Sequence, residues 1–318
     1  MSILIRRPNI VTPASSALEL PAGLDLYDDF SEYSVGTWAD QAGGAGNWNG
    51  VWGDLGTSGE IEEWTFDGTE TKNVMELNAT RLGRKFTKTP ADWTTIRIGF
   101  RYMIDHNSNA TMSGTDFAYG IASGITDIYP PTTSLTHALV INQTPGGLSD
   151  GAEVGNGRRR FTSSGTPYHQ YRKMVSTTDS GLGQNTASGP RMAKADSLAV
   201  SLPWATGHFF EFTKATVDGS GLGTSWDIEH TFDRSASAGD RLHCTKTDLV
   251  TAMNETSMTD VETYMQTSIS PNYQRYADTG NSVDESVDGE FDAITFSWDQ
   301  SGANKGLFLL DVGVRFIA

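Results

Sequence analysis

Residues 307–317, Leu-Phe-Leu-Leu-Asp-Val-Gly-Val-Arg-Phe-Ile, constrain this chain more than any other stretch. Phe308, Leu310, Val312, Val314 and Phe316 recur at every second position, the period of one strand face. The opposite face carries Leu307, Leu309, Asp311, Gly313, Arg315 and Ile317, apolar but for a carboxylate near its middle and an arginine near its end. A strand apolar on both faces belongs inside a sheet, because at an edge half of it would be wet. It therefore requires neighbours on both sides, and Asp311 requires a partner.

The same alternation recurs upstream. Ile96, Ile98, Phe100, Tyr102 and Ile104 share a face opposite Thr95, Arg97, Gly99, Arg101 and Met103. Trp226, Ile228, His230 and Phe232 form another such row, as do Asp292, Ile294, Phe296 and Trp298. Glycine, serine, asparagine and proline clusters separate the rows, among them Gly43-Gly44-Ala45-Gly46 and Asp218-Gly219-Ser220-Gly221. Strands spaced by turn chemistry, with little helical periodicity, predict an all-β, antiparallel two-sheet sandwich with long loops and at most one or two short helices. One helix is expected after Thr259, which has capping-box spacing to Glu262, and Pro271 stops whatever follows. Residues 142–190, dense in Gly, Ser, Thr and Arg, read as a long loop or insertion within a single domain spanning 22–318. Residues 1–21, interrupted by Pro8, Pro13 and Pro21, read as an extended arm suited to tying a subunit to its neighbours.

The 318 residues carry a formal charge of −16, which repels nucleic-acid phosphates and anionic lipid. A basic island at Arg158-Arg159-Arg160, continued by Arg172-Lys173, is read as a solvated loop that offsets the acidic body. The lone cysteine, Cys244, excludes intrachain disulfides. The opening Met1-Ser2-Ile3-Leu4-Ile5-Arg6-Arg7-Pro8 has the wrong order for a secretory signal, so the expectation is either a signal already removed or a virion or extracellular assembly protein made without Sec export. No His-x-x-x-His pattern, phosphate-binding loop or Gly-x-Ser-x-Gly elbow occurs.

The two ends read together resemble a known family. Asp25-Leu26-Tyr27-Asp28-Asp29-Phe30 with Gly36 is similar to the opening strand and turn of concanavalin A-like lectin/glucanase domains. Leu309-Leu310-Asp311-Val312-Gly313-Val314-Arg315 looks like their last strand. The resemblance implies a jelly-roll sandwich whose first and last strands lie close together. It also implies a structural calcium ion, with Asp311 as a ligand and Asp28 and Asp29 supplying carboxylate or carbonyl partners, since oxygen-only ligation suits calcium. The alternative is that Asp311 pairs with Arg315, Arg101 or a backbone amide. Glucanases similar to this chain carry Glu-x-Asp-x-x-Glu on one strand. Glu290 and Asp292 match the first two positions, but the third acid is missing, and Glu60 with Glu62 shows no third acid either. The expectation is therefore a chain without catalytic residues.

Sugar recognition needs aromatic faces beside polar groups. Trp48 and Trp52 flank a Gly/Asn-rich segment, Trp64 follows, and Tyr168, Tyr171 and Arg172 form a second group. The resulting expectation is a non-enzymatic structural or adhesive module of a multisubunit particle such as a phage virion. Its partners would be neighbouring subunits and a surface polysaccharide. The alternative is a secreted glycoside hydrolase or lyase.

Overall fold

A computed structural model describes residues 18–36, 43–54, 60–66, 68–77, 80–104, 117–123, 137–144, 153–161, 167–174, 205–233, 243–282, 291–298 and 307–318. The strands run in chain order from β1 (Leu26–Asp28), β2 (Ala45–Gly46), β3 (Trp48–Asp54) and β4 (Ile61–Phe66) to β5 (Glu70–Leu77) and β6 (Thr80–Phe86). A short 3₁₀ turn at Pro90–Asp92 leads into β7 (Thr95–Ile104), β8 (Phe117–Ser123), β9 (His137–Thr144), β10 (Glu153–Phe161) and β11 (Pro167–Met174). Then come β12 (Thr206–Val217), β13 (Gly223–Asp233), helices α1 (Lys246–Met253) and α2 (Met258–Ser268), β14 (Tyr273–Ser282), β15 (Ala293–Trp298) and β16 (Leu307–Ile317).

These strands make two antiparallel sheets. The first is ordered β14-β13-β12-β7-β16-β1-β2, with the β4–β5 hairpin also joined to β16 through β5. The second is ordered β11-β10-β9-β8-β15-β6-β3. The sheets bury a shared core of Ile96, Ile98, Phe100, Phe210, Phe212, Ile228, Val312 and Val314 against Tyr119, Ile121, Leu82, Ile294 and Phe296. The closing strand lies inside its sheet, as its double-faced apolarity requires. It pairs with β7 on one side, and on the other with β1 through Leu26↔Val314 and Asp28↔Val312.

One detail of β16 departs from simple alternation. The register shifts between Leu309 and Asp311, so an extra residue enters the strand and the facing parity changes. Leu307 and Leu309 face the shared core with Val312 and Val314, whereas Phe308 and Leu310 join a separate outer cluster with Phe66, Val74 and Met103. Phe308 and Leu310 thus do not share the face of Val312, Val314 and Phe316.

The outer face of the first sheet is roofed by the two helices. Leu249, Ala252, Met253, Met258, Val261 and Met265 pack on Phe209, Tyr27 and Tyr273. Gly99 makes room for this roof, because a Cβ there would meet the Met253 Sδ at 2.5 Å. Helix α1 opens on a reciprocal cap between Thr245 and Asp248. Helix α2 starts two residues earlier than its sequence suggests: Ser257 is the cap and accepts from the Asp260 amide, leaving Thr259 inside the helix. Arg97 and Arg315 both donate to the Met253 carbonyl, closing the C-terminus of α1.

The stretch expected as a long loop at 142–190 instead contributes β10 and β11 to the second sheet, and the Arg158–Arg160 island lies within β10. Residues 1–17 lie outside the described residues. At their boundary, Leu18 donates its amide to Glu32 and packs against the helical cluster. No helix among the described residues is long and apolar enough to cross a membrane.

Candidate functional site

Strand β1 ends on Asp28 and is followed by Asp29, two of the acids singled out by sequence, and each is committed to the protein. Asp28 is fully buried, and its Oδ2 accepts from the Arg84 guanidinium at 2.6 Å, the Trp52 indole at 2.8 Å and the Tyr33 hydroxyl at 2.8 Å. Its Oδ1 accepts the Phe30 amide, which holds Phe30 in the left-handed region at φ 57°. Burial raises the Asp28 carboxyl above its ordinary pKa, against the pull of Arg84. Asp29 accepts from Ser31 and from a half-buried Lys246.

Asp311 sits on the outer face of the first sheet, gripped by Arg101 through Nε at 2.9 Å and Nη2 at 2.5 Å. Lys72 lies 3.4 Å away, and the Tyr27 hydroxyl donates at 3.1 Å. Burial alone would raise its pKa, but Arg101 and Lys72 override that and hold it below the usual carboxylate range. Arg101 in turn holds Glu70, which also accepts from His243 at 2.8 Å. His243 Nδ1 accepts the Ala205 amide, so its Nε2 carries the proton.

This donor set does not fit calcium. A divalent ion at Asp311 would meet a guanidinium and an ammonium, and one at Asp28 would meet Arg84. Among the described residues no group of three or more His, Cys, Asp or Glu side chains could hold a metal ion. The pairing of Asp311 with Arg101 is the arrangement present.

The predicted sugar-stacking aromatics are also placed differently. Trp48 and Trp52 lie in β3 and not on an outward loop. Trp52 is 1% exposed, packed by Phe30, Trp48 and Phe296, and cannot meet a ligand without unfolding its surroundings. Trp48 is half-buried with Arg84 4.7 Å from its ring centroid. Trp64 is half-buried on β4, with its indole on Glu62 and its ring against Phe308. Tyr168, Tyr171 and Arg172 lie in β11, where Arg158 opposes Tyr171; their side chains fall outside the described residues. Asp292 forms a half-exposed pair with Lys85 at 2.8 Å, and Glu290 falls outside the described residues.

A different feature has the chemistry of a binding site. Where β1 and β16 meet the end of β6, a surface pocket of about 180 Å³ opens. Its walls are Asp25 and Leu26, Asn47, Thr87, Lys88, Thr89, Asp92 and Phe316. The six polar members are exposed, and Phe316 is half-buried against Phe86 and Trp93. Local hydrogen bonds set the walls. The Phe316 amide donates to Asp25 Oδ2 at 2.7 Å, and the Thr87 amide and hydroxyl both donate to the Asn47 carbonyl at 3.0 Å. Thr89 precedes the 3₁₀ turn without spending its hydroxyl on a cap. Gly46, at φ +94°, lets β2 close on this end, since a Cβ there would lie 2.1 Å from the Asp25 carbonyl.

No family model and no curated protein matches the chain. Solved structures similar to it include lectin II from Ulex europaeus, at 7% identity and TM-score 0.36, covering 93% of this chain and 100% of that one. Lectin I-B4 from Griffonia simplicifolia matches at 8% identity and TM-score 0.26, covering 83% and 91%. A conserved carbohydrate esterase from Shiga toxin-encoding bacteriophage phi24B matches at 12% identity and TM-score 0.35, covering 84% and 90%. With TM-scores below 0.5, none of them transfers a residue or a ligand to this chain.

The pocket was not visible in the linear sequence because four separate segments supply it. The one local hint was Thr87-Lys88-Thr89-Pro90-Ala91-Asp92, a polar, proline-containing connection between two alternating runs. Asn47 joins it through the pairing of β3 with β6, and Phe316 meets Asp25 where the first and last strands pair.

Proposed function

We propose that this chain is a carbohydrate-binding β-sandwich module that performs no chemistry on its ligand and serves as a structural or adhesive part of a larger particle. The observation that supports the reading is the pocket at the β1–β16 end. It offers carboxylates, an amide, hydroxyls and an ammonium around one aromatic ring. A pyranose needs such a set, because its hydroxyls exchange donors and acceptors while its C–H face lies on an aromatic surface. The volume, below the roughly 300–1,000 Å³ of pockets for drug-sized ligands, suits one sugar unit at the end of a chain. The acidic body, the lone cysteine and the arm of residues 1–21 are in keeping with a subunit of an assembly such as a virion. The reading is tested by following amide shifts while methyl hexosides are added. Changes are expected at Asn47, Thr87 to Asp92 and Phe316, and Asn47→Ala should weaken them several-fold. Absence of any shift with every sugar, or cleavage of an oligosaccharide by the purified protein, would refute it.

A further inference from the structure

The charges around the pocket are unequal. Asp25 and Asp92 line it with a single ammonium, Lys88. A second cation, Lys214, lies behind the same wall, but its Nζ is consumed by the carbonyls of Pro90 at 2.5 Å, Trp93 at 2.5 Å and Gly221 at 3.0 Å. Its strongest electrostatic partner is Asp218, with Asp92 second. Two carboxylates therefore stand against one ammonium in the pocket, on a chain whose formal charge is −16. Asp25 is held in place by the Phe316 amide on one oxygen, and among the described residues its other oxygen has no hydrogen-bond partner. We infer that the pocket selects an amino sugar, a hexopyranose carrying a free ammonium group, over uncharged and carboxylated sugars. The inference rests on the carbohydrate reading above and adds the chemical class. An ammonium donor to Asp25 or Asp92 makes a charge-assisted hydrogen bond, stronger than a hydroxyl makes. A uronate carboxylate would meet like charge at the pocket and across the whole surface. The test titrates the protein with glucosamine, methyl glucoside and glucuronate at low and at high salt, reading the amides of Thr87 to Asp92. Glucosamine is expected to bind about tenfold more tightly than methyl glucoside, with glucuronate weakest. Salt should narrow the spread, and raising the pH above the amine's own pKa should abolish it. Asp92→Asn should bring the glucosamine-to-methyl-glucoside ratio toward one. Equal binding of glucuronate and glucosamine, or a ratio unmoved by Asp92→Asn, would overturn the amino-sugar selectivity while leaving sugar binding intact. No response to any of the three sugars would remove the carbohydrate reading itself.

Discussion

At the residue scale, the most consequential contact is the pair of Asp311 and Arg101, both fully buried and 210 positions apart in sequence. The need for a partner was legible from the apolar surroundings of Asp311, but its identity was not. A calcium ion, Arg315, Arg101 and a backbone amide were all open until the register of β7 against β16 placed Arg101 alongside. Removing one member leaves a buried charge uncompensated, so Asp311→Asn should cost about 3–5 kcal/mol in a urea titration. Chelator should leave the melting temperature of the parent protein unchanged, since these carboxylates hold cationic side chains and not a metal. A chelator-dependent fall would mean the guanidinium is displaced by an ion in solution. Trp52 illustrates a different failure of linear reading. The glycines around it suggest a loop, yet the Gly43 and Gly50 carbonyls are acceptors for Arg84, which seats the indole over Asp28. Trp52→Phe preserves most of the packing but removes one hydrogen bond to a buried carboxylate. It should cost roughly 1.5–3 kcal/mol by the same titration.

Among the elements, period-two alternation identified β7, β13 and β15 and grouped Ile96, Ile98, Phe100 and Tyr102, then Trp226, Ile228 and Phe232, then Ile294 and Phe296, each set facing the shared core. It misassigned part of β16, because a one-residue bulge has no signature in an apolar run. It also missed β10 and β11, whose Gly- and Arg-rich composition argues against strand although the backbone pairs regularly. The 3₁₀ turn that forms one wall of the pocket depends on an element far from it in sequence. Lys214 of β12 ties the carbonyls of Pro90 and Trp93 together, with its ammonium 4.5 Å from the Trp93 ring centroid. Burial lowers the Lys214 pKa, so the tie weakens at alkaline pH before ordinary lysines titrate. Lys214→Met fills the space but leaves three carbonyls without their donor. It should destabilise the fold by roughly 2 kcal/mol or more and speed amide exchange in residues 91–94 ahead of the rest of the sandwich. Uniform acceleration across both sheets would show that the wall has no independent anchor.

Across the whole molecule, the shared core contains two buried histidines, His208 on β12 and His230 on β13, with rings stacked 6.0 Å apart and the Tyr119 hydroxyl 2.6 Å from His208 Nε2. Burial depresses both. His230 is brought from the ordinary value to about 3, and His208, with His230 beside it, is held well below 6.5. In the unfolded chain each histidine takes up a proton near pH 6.5. Between that value and the folded-state value the unfolded state binds more protons, so stability falls as pH falls. Each pH unit in the window removes about 1.4 kcal/mol per histidine. Asp311, depressed in the folded state, adds to the loss only below about pH 4. Asp28 and Glu211, raised by burial, take up protons in the folded state above their ordinary range and offset part of the decline. The histidine share is therefore read by comparison with a variant that lacks one of the rings, between about pH 6 and pH 4.5. Stability from urea titrations should fall more steeply with falling pH in the parent protein than in His230→Phe, which keeps an aromatic ring in the stack with Phe232. The difference between the two should be about 1.4 kcal/mol per pH unit, one histidine's share. The same pH dependence in both proteins would mean that His230 is protonated, or reached by water, in the folded sandwich.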